Sequence, residues 1–227
     1  SLATKGKGLT RQEIIERTKL ADNGRFSLML EELESCGFIR CYEPYVSETT
    51  RRRRICIGKT KNTDTLYQLV DPFTLFYFQV MRKADAYDAN YWSNNQNTHL
   101  YSAWSGLSFE MLCLNHVDQI KSALGISGIS SNVFSWAGKG YDRSAQIDML
   151  IDRADRTINL CEMKFHNKPY TMTKNDEEDI ERKVSSFKEA TKTDKSIIVT
   201  MITTTGLERN EHSEGIQKVI TLDQLFC

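Results

Sequence analysis

The chain has 227 residues, of which 40% are hydrophobic and 26% are charged, and its formal net charge is zero. This is the composition of a soluble globular protein, and no apolar run approaches the roughly 20 residues that a membrane-spanning helix needs. We therefore expect a cytoplasmic protein with no membrane partner. Its six cysteines include no Cys-x-x-Cys pair, so the sequence predicts reduced thiols and no zinc site.

Charge is distributed unevenly along the chain. Residues 1–70 hold 13 lysines and arginines against 9 acidic residues, whereas residues 71–227 hold 17 against 21. An excess of positive charge favours contact with the phosphates of nucleic acid. DNA is therefore the expected partner of the first 70 residues.

Two short helices are predicted near the start of the chain. The first begins at a capping box formed by Thr10 and Glu13. The second ends at Gly37 and carries an apolar stripe at helical spacing, formed by Phe26, Leu30 and Leu33. A strand over residues 38–42 is expected to pair with a second strand near residues 65–69.

Two helices followed by such a strand pair resemble a winged helix-turn-helix domain, which we assign to residues 1–70. Arg25 of the second helix and four arginines of the predicted wing, Arg51, Arg52, Arg53 and Arg54, are the expected phosphate contacts. Two alternatives remain open. The four arginines can simply keep an exposed loop soluble or pair with acidic residues. In addition, the acidic second helix, with Glu31, Glu32 and Glu34, can make this domain a protein–protein hinge.

Residues 71–100 are predicted to form a helical connector. Asp71 and Pro72 start a helix that carries an apolar stripe of Phe73, Phe76, Tyr77 and Val80. We expect the three aromatic side chains to be buried, because soluble monomers rarely expose an apolar patch of that size.

Residues 145–165 contain two predicted strands joined by a polar turn. If these strands pair antiparallel, Asp148 and Glu162 lie side by side. Lys164 then lies on the same face, because residues two apart in a strand point the same way. Two carboxylates and the main-chain carbonyl of Met163 offer the oxygen ligands that Mg²⁺ prefers, and a lysine can stabilise charge that develops on a phosphate. The alternative is that these side chains only line a solvated strand face.

The predicted elements around this hairpin follow the order helix, three strands, helix, strand, which resembles the PD-(D/E)XK nuclease superfamily. The resemblance covers residues 101–227. It implies a restriction-endonuclease-like domain with a mixed central sheet flanked by helices, and a catalytic set of Asp148, Glu162 and Lys164, joined by Glu110 from the first helix. It also implies that Mg²⁺ or Mn²⁺ is held by Asp148, Glu162 and Met163.

The helix after the motif departs from the family pattern. Many active members carry a Gln or a basic residue on this helix, but residues 176–190 contain no Gln. Lys183 and Lys188 are both possible substitutes, and the sequence does not show which of them points inward.

The order of the predicted domains carries a further resemblance. A winged helix, an aromatic Asp-Pro helix and a PD-(D/E)XK-like domain are together similar to the C-terminal region of archaeal-type AAA-like ATPases. The chain begins without Met, as expected for a piece of a longer protein, and the resemblance implies an N-terminal ATPase module as a partner. The chain has no GxxxxGK(S/T) motif, so it is not expected to bind ATP itself.

The resulting expectation is an α/β fold, α+β overall, with a metal-dependent endonuclease-like domain that hydrolyses DNA phosphodiesters. The alternative is a non-catalytic DNA- or protein-binding module that regulates the ATPase and keeps the nuclease fold. The two differ in whether a divalent metal binds at Asp148 and Glu162 and whether cleavage depends on it.

We expect the protein to bind duplex DNA with an affinity that falls steeply as salt rises, because Arg51–Arg54 would release counterions from the phosphates. Replacing all four arginines with glutamine should reduce the slope of log affinity against log salt by about 0.9 for each phosphate that is no longer neutralised. Fluorescence anisotropy over a salt series measures this slope. Binding that does not depend on salt, or no binding at micromolar protein, would favour the protein-hinge alternative.

Overall fold

The computed structural model describes residues 2–4, 8–42, 45, 65–83, 88, 90–96, 98–139 and 144–226. Arg51–Arg54 lie outside these residues, so their role in DNA binding stays a prediction. The chain divides into two compact units. The first contains Ser1–Glu43 and Asn62–Asn115, and the second contains Pro44–Lys61 and His116–Cys227.

The first unit is mainly helical. Its helices are α1 (Arg11–Thr18), α2 (Gly24–Ser35), α3 (Pro72–Gln79), α4 (Tyr91–Asn94) and α5 (His99–Asn115), with short 3-10 helices at Leu2–Thr4 and Met81–Lys83. Three short strands, β1 (Leu9–Thr10), β2 (Ile39–Tyr42) and β3 (Leu66–Leu69), form an antiparallel sheet in the order β1-β3-β2. The predicted strand pair is confirmed, since Ile39 lies opposite Leu69 and Tyr42 lies opposite Leu66.

Local sequence sets the ends of the first two helices. The Thr10 hydroxyl accepts from the Glu13 amide at 3.2 Å, and the Glu13 carboxylate accepts from the Thr10 amide at 2.8 Å, which confirms the capping box. Helix α2 ends before Gly37, whose φ of 75° favours glycine. There the Phe38 amide donates to the Leu33 carbonyl at 3.0 Å, so both predicted ends are confirmed.

The predicted domain boundaries at residues 70 and 100 differ from the observed division. Helix α5 begins at the predicted boundary, but its Met111 belongs to the same buried core cluster as Leu9 and Leu75. Tertiary packing therefore groups α5 with the helices that precede it in the chain. Among the described residues of the first unit, one core cluster contains Leu9, Ile14, Phe26, Leu30, Ile39, Leu69, Leu75 and Met111.

The predicted burial of the aromatic stripe on α3 is wrong for two of its three members. Phe73 is 67% exposed and Tyr77 is 45% exposed, whereas Leu75 and Val80 are each only 1% exposed. Phe76 is partly buried in an aromatic cluster with Trp92 and Trp104. Helix α3 is short and apolar on most of its surface, so helical spacing did not identify the side that faces the core.

The second unit is built on a five-stranded mixed sheet in the order β10-β8-β6-β5-β4. Its strands are β4 (Ser131–Lys139), β5 (Ser144–Arg153), β6 (Thr157–Lys164), β8 (Ser196–Thr203) and β10 (Lys218–Thr221). Neighbouring strands are antiparallel from β4 to β6 and parallel from β6 to β10. A separate parallel pair joins β7 (Tyr170–Thr171) to β9 (Leu207–Glu208). The protein therefore has a mixed α/β fold, which confirms the predicted fold class.

Among the described residues, the second unit contains the helices α6 (Val117–Ala123) and α7 (Lys174–Thr191). Helix α7 packs onto one face, where Phe187 contacts a cluster that includes Leu150 and Leu160. Strand β6 lies at the centre of the sheet, and its residues from Ile158 to Met163 are all buried. Within the described residues, no helix is long and apolar enough to cross a membrane.

Two substitutions on α3 test which side of this helix faces the core. Leu75→Ala should lower the free energy of unfolding by about 3 kcal/mol, because it leaves a cavity in the first unit. Phe73→Ala removes an exposed ring and should cost less than about 1 kcal/mol. Urea unfolding followed by circular dichroism compares the two variants, and equal losses would contradict the described orientation of α3.

Candidate functional site

The predicted hairpin is present and sets the geometry of the candidate site. Strands β5 and β6 pair antiparallel from Asp152 opposite Ile158 to Met149 opposite Cys161. Asp148 and Glu162 are the next residues of the two strands beyond this paired stretch, and they are close enough for the charge of Glu162 to act on Asp148. Lys164 lies two residues beyond Glu162, on the same face. The Asp and the Glu-x-Lys segment are thus brought together at one end of the two strands.

The Glu162 carboxylate lies between two lysines. Lys164 Nζ is 3.3 Å from Glu162 Oε1, and Lys183 Nζ is 2.7 Å from Glu162 Oε2. Glu162 is only 9% exposed, and a buried carboxylate is costly unless it is paired. The two ammonium groups therefore compensate a charge that the centre of the sheet would otherwise leave unpaired.

Lys183 reaches the site from helix α7. It lies seven residues after Asp176 and four after Asp179, so these three side chains share one side of the helix. Lys183 Nζ also lies 3.0 Å from Asp179 Oδ2. Burial lowers the pKa of Lys183, but Glu162 and Asp179 outweigh burial and hold this pKa above its usual value. Lys183 is therefore a permanent positive charge in the site at neutral pH.

Asp148 has a different environment from Glu162. The Gln146 side-chain amide donates to Asp148 Oδ1 at 2.5 Å. Burial raises the pKa of Asp148 above its usual value, and the charge of Glu162 adds to the effect, whereas Gln146 and the two lysines oppose it. Burial is therefore the main reason that ionisation of Asp148 is disfavoured, and repulsion from Glu162 is a smaller one.

A divalent cation is compatible with this donor set. Across the described ranges, no cluster of three or more His, Cys, Asp or Glu side chains is placed to hold a metal ion. The donors at hand are the carboxylates of Asp148 and Glu162 and the main-chain carbonyl of Met163, and Mg²⁺ usually completes its shell with water and substrate oxygens. The raised pKa of Asp148 indicates a carboxylate that a cation would favour in its ionised form. The residues therefore fit Mg²⁺ or Mn²⁺.

The other predicted site residues lie apart from this group in the chain. Glu110 belongs to helix α5 in the first unit, where burial and the charge of Glu110 raise the pKa of Cys113 to about 12. Arg25 is exposed on α2, also in the first unit. Within the second unit, Lys183 joins Asp148, Glu162 and Lys164.

Sequence reasoning left the choice between Lys183 and Lys188 open and did not identify Gln146, Asp176 or Asp179. Lys188 is exposed on α7, whereas Lys183 contacts Glu162. One available signal was the seven-residue spacing of Asp176 and Lys183. Another was the spacing of Gln146 and Asp148, which places them on the same face of one strand.

Replacing Asp148 should stabilise the protein when no metal is present. Its folded-state pKa lies above that of the unfolded chain, so folding loses stability as pH rises from the ordinary Asp pKa of about 3.9 to the folded value. Asp148→Asn cannot ionise and should therefore melt at a higher temperature than the wild type at pH 7 in EDTA. The difference should vanish below about pH 3.9.

Asp152→Asn is the matched control on the same face of β5. Asp152 Oδ1 lies 2.5 Å from Lys195 Nζ, so this variant should lose roughly 1 to 3 kcal/mol of stability at pH 7. Thermal melts of both variants at the two pH values decide the question. A destabilised Asp148→Asn at pH 7 would contradict the described environment of Asp148.

Comparison with known proteins leaves the function open. No protein-family model matches the chain, and no curated protein matches it. Among solved structures, the chain is similar to the crystal structure of a protein of unknown function, AF1548, at 14% sequence identity and a TM-score of 0.36. The similarity covers 50% of this chain and 64% of that chain. Function must therefore be inferred from the side chains of the second unit.

Proposed function

We propose that the second unit is a metal-dependent nuclease-like domain that hydrolyses DNA phosphodiesters. The observation that carries this proposal is the convergence of Asp148, Glu162 and Lys164 at one end of the β5–β6 hairpin. In this unit three antiparallel strands are followed by the short strand β7, a helix and a parallel strand, an order that supports the resemblance to the PD-(D/E)XK superfamily. The chain would then be the DNA-associated C-terminal region of an ATPase.

Asp148, Glu162 and the Met163 carbonyl would hold Mg²⁺ or Mn²⁺. When bound, such a cation polarises the phosphodiester and lowers the pKa of a coordinated water. Hydrolysis would add a water oxygen to phosphorus and break one P–O ester bond, and a proton from the water would end on the leaving oxygen, which gives a phosphate end and a hydroxyl end. Negative charge grows on the phosphate oxygens during this step, and an ammonium beside them stabilises it.

The two lysines suit different roles. Lys164 is 33% exposed, so its ammonium can approach a phosphate that enters from solvent. Lys183 is only 13% exposed and already contacts both Glu162 and Asp179. We assign the phosphate contact to Lys164, whereas Lys183 balances the charge of Glu162 and can turn toward Asp179 when Glu162 binds a cation.

The first unit is proposed to contact DNA as a winged helix-turn-helix. Two helices are followed by an antiparallel strand pair, and Arg25 is exposed on the second helix. Exposed acidic residues on the same helix, Glu31, Glu32 and Glu34, would repel phosphates and support the alternative role as a protein hinge.

A non-catalytic regulatory module is the second candidate function. The observation that favours it is the double pairing of Glu162 with Lys164 and Lys183, because this pairing satisfies the carboxylate without any metal. A protein of this kind would keep the fold and bind DNA or protein without turnover.

Metal binding separates these two functions. Mg²⁺ or Mn²⁺ should raise the melting temperature, by an amount equivalent to about 2.7 kcal/mol at a concentration 100 times the dissociation constant. Asp148→Asn and Glu162→Gln should each abolish this rise, because each removes a carboxylate donor. Lys164→Ala should preserve it, since Lys164 is not a metal ligand. Thermal melts over a metal titration measure the effect, and a rise that persists in both carboxylate variants would sink the proposed metal site.

Cleavage is tested by plasmid nicking with Mn²⁺. The wild type should nick the plasmid and Lys164→Ala should not, whereas Lys188→Ala should match the wild type because Lys188 is exposed outside the site. Equal nicking by the wild type and Lys164→Ala would point to a contaminating nuclease and reject the enzyme. Metal-dependent stabilisation without nicking would instead favour the regulatory module.

A further inference from the structure

We propose that Asp176 is a positioning residue that holds the ammonium group of Lys164 in place beside Glu162. This inference rests on the proposed nuclease function of the same site, because it concerns the lysine that would contact the phosphate. Asp176 lies in the first turn of α7 and was not part of the predicted site.

The two oxygens of Asp176 have different partners. Oδ2 accepts from the Thr173 amide at 2.9 Å and from the Thr173 hydroxyl at 2.7 Å, which forms the capping box of α7. Oδ1 lies 3.9 Å from Lys164 Nζ. Burial and the nearby Asp176 carboxylate raise the pKa of the Tyr170 phenol above its usual value. The cap thus fixes the carboxylate through one oxygen, and the other oxygen faces the lysine.

Lys164 needs such an anchor because its side chain is long and flexible. An unrestrained lysine side chain has high rotamer entropy, so an ammonium with a single partner samples many positions. The two carboxylates beside it, Glu162 at 3.3 Å and Asp176 at 3.9 Å, restrict it from two elements, strand β6 and helix α7.

The contribution of Asp176 to the position of Lys164 should grow when the site holds a cation. Glu162 is shared with Lys183, and in the proposed function Glu162 also binds the cation. The attraction of Glu162 for the Lys164 ammonium would then weaken. Asp176 is not a ligand of the cation, so its attraction for Lys164 would remain. Asp176 is therefore the carboxylate that keeps Lys164 oriented toward the phosphate.

Asp176 also caps a helix, so the test must separate its charge from its cap. Glu and Gln both serve at the third position of a capping box. Asp176→Glu and Asp176→Gln therefore keep the cap at equal side-chain length and differ only in charge. Glu177→Gln is a further control, because Glu177 is the next residue of α7 but faces His212 Nδ1 at 2.9 Å.

The first measurement observes Lys164 itself by NMR of ¹⁵N-labelled lysine ammonium groups, with the signal assigned from Lys164→Arg. An ammonium held by carboxylates exchanges its protons slowly and gives a signal. We expect Asp176→Gln to lose the Lys164 signal while it keeps that of Lys183, and Asp176→Glu and Glu177→Gln to keep both. A Lys164 signal that persists unchanged in Asp176→Gln would overturn the proposal.

The second measurement is the rate of plasmid nicking under saturating Mn²⁺. Asp176→Gln should lower kcat roughly 10- to 100-fold, the usual effect of a misplaced catalytic group, and should leave the metal dissociation constant unchanged. In a Lys164→Ala background, in which nicking is already lost, the same substitution should leave metal binding unchanged, because Asp176 acts through Lys164 and not through the metal. A kcat that is the same in Asp176→Gln and Asp176→Glu would overturn the proposal.

The two measurements also separate this inference from the proposed function. If the wild type does not nick DNA, the nuclease proposal fails, and the NMR measurement alone decides whether Asp176 holds Lys164. If the wild type nicks DNA but Asp176→Gln matches it, the nuclease proposal stands and the role of Asp176 is rejected.

Discussion

The structure of the second unit depends on the burial of one carboxylate, that of Glu162, in the central strand of the sheet. A carboxylate that is 9% exposed destabilises the fold unless opposite charge and hydrogen bonds compensate it. Lys183 supplies that charge from helix α7. Its ion pair with Glu162 therefore fixes which part of the helix lies over the central strand. The same placement lets Ile180 and Phe187 of α7 meet the apolar part of the sheet. The ion pair and the apolar packing therefore favour one position of the helix.

The two aspartates of strand β5 show what is unusual about the candidate site. Asp148 and Asp152 lie four residues apart on the same face, with Leu150 between them. Asp152 is paired with Lys195 at 2.5 Å, an arrangement that stabilises a structural carboxylate. Asp148 instead accepts from the neutral amide of Gln146 and has a raised pKa. Of these two aspartates, Asp148 therefore contributes less to stability when it is ionised, which is the property that a cation would reverse.

Sequence patterns predicted the parts of the molecule that depend on near neighbours. The Thr10–Glu13 cap, the end of α2 at Gly37 and the hairpin of β5 and β6 follow from residues close in the chain. The exposure of Phe73, the assignment of α5 to the first unit and the choice of Lys183 over Lys188 depend on distant contacts. The alternation of residues between the two faces of β5 and β6 therefore predicted that Asp148 and Glu162 lie together. No pattern within helix α7 alone identifies the lysine that faces the strand.

Charge balance decides which residue carries information about function. Glu162 is compensated by Lys164 and Lys183 within the protein, so the fold does not require a cation to tolerate it. Its burial therefore says little about whether a metal binds. Asp148 lies in the electrostatic field of the same two lysines, and burial and Glu162 still raise its pKa. Asp148 is thus the carboxylate of this site whose ionised form is disfavoured by its surroundings, and the distinction between a metal site and a purely structural ion-pair network rests on this side chain.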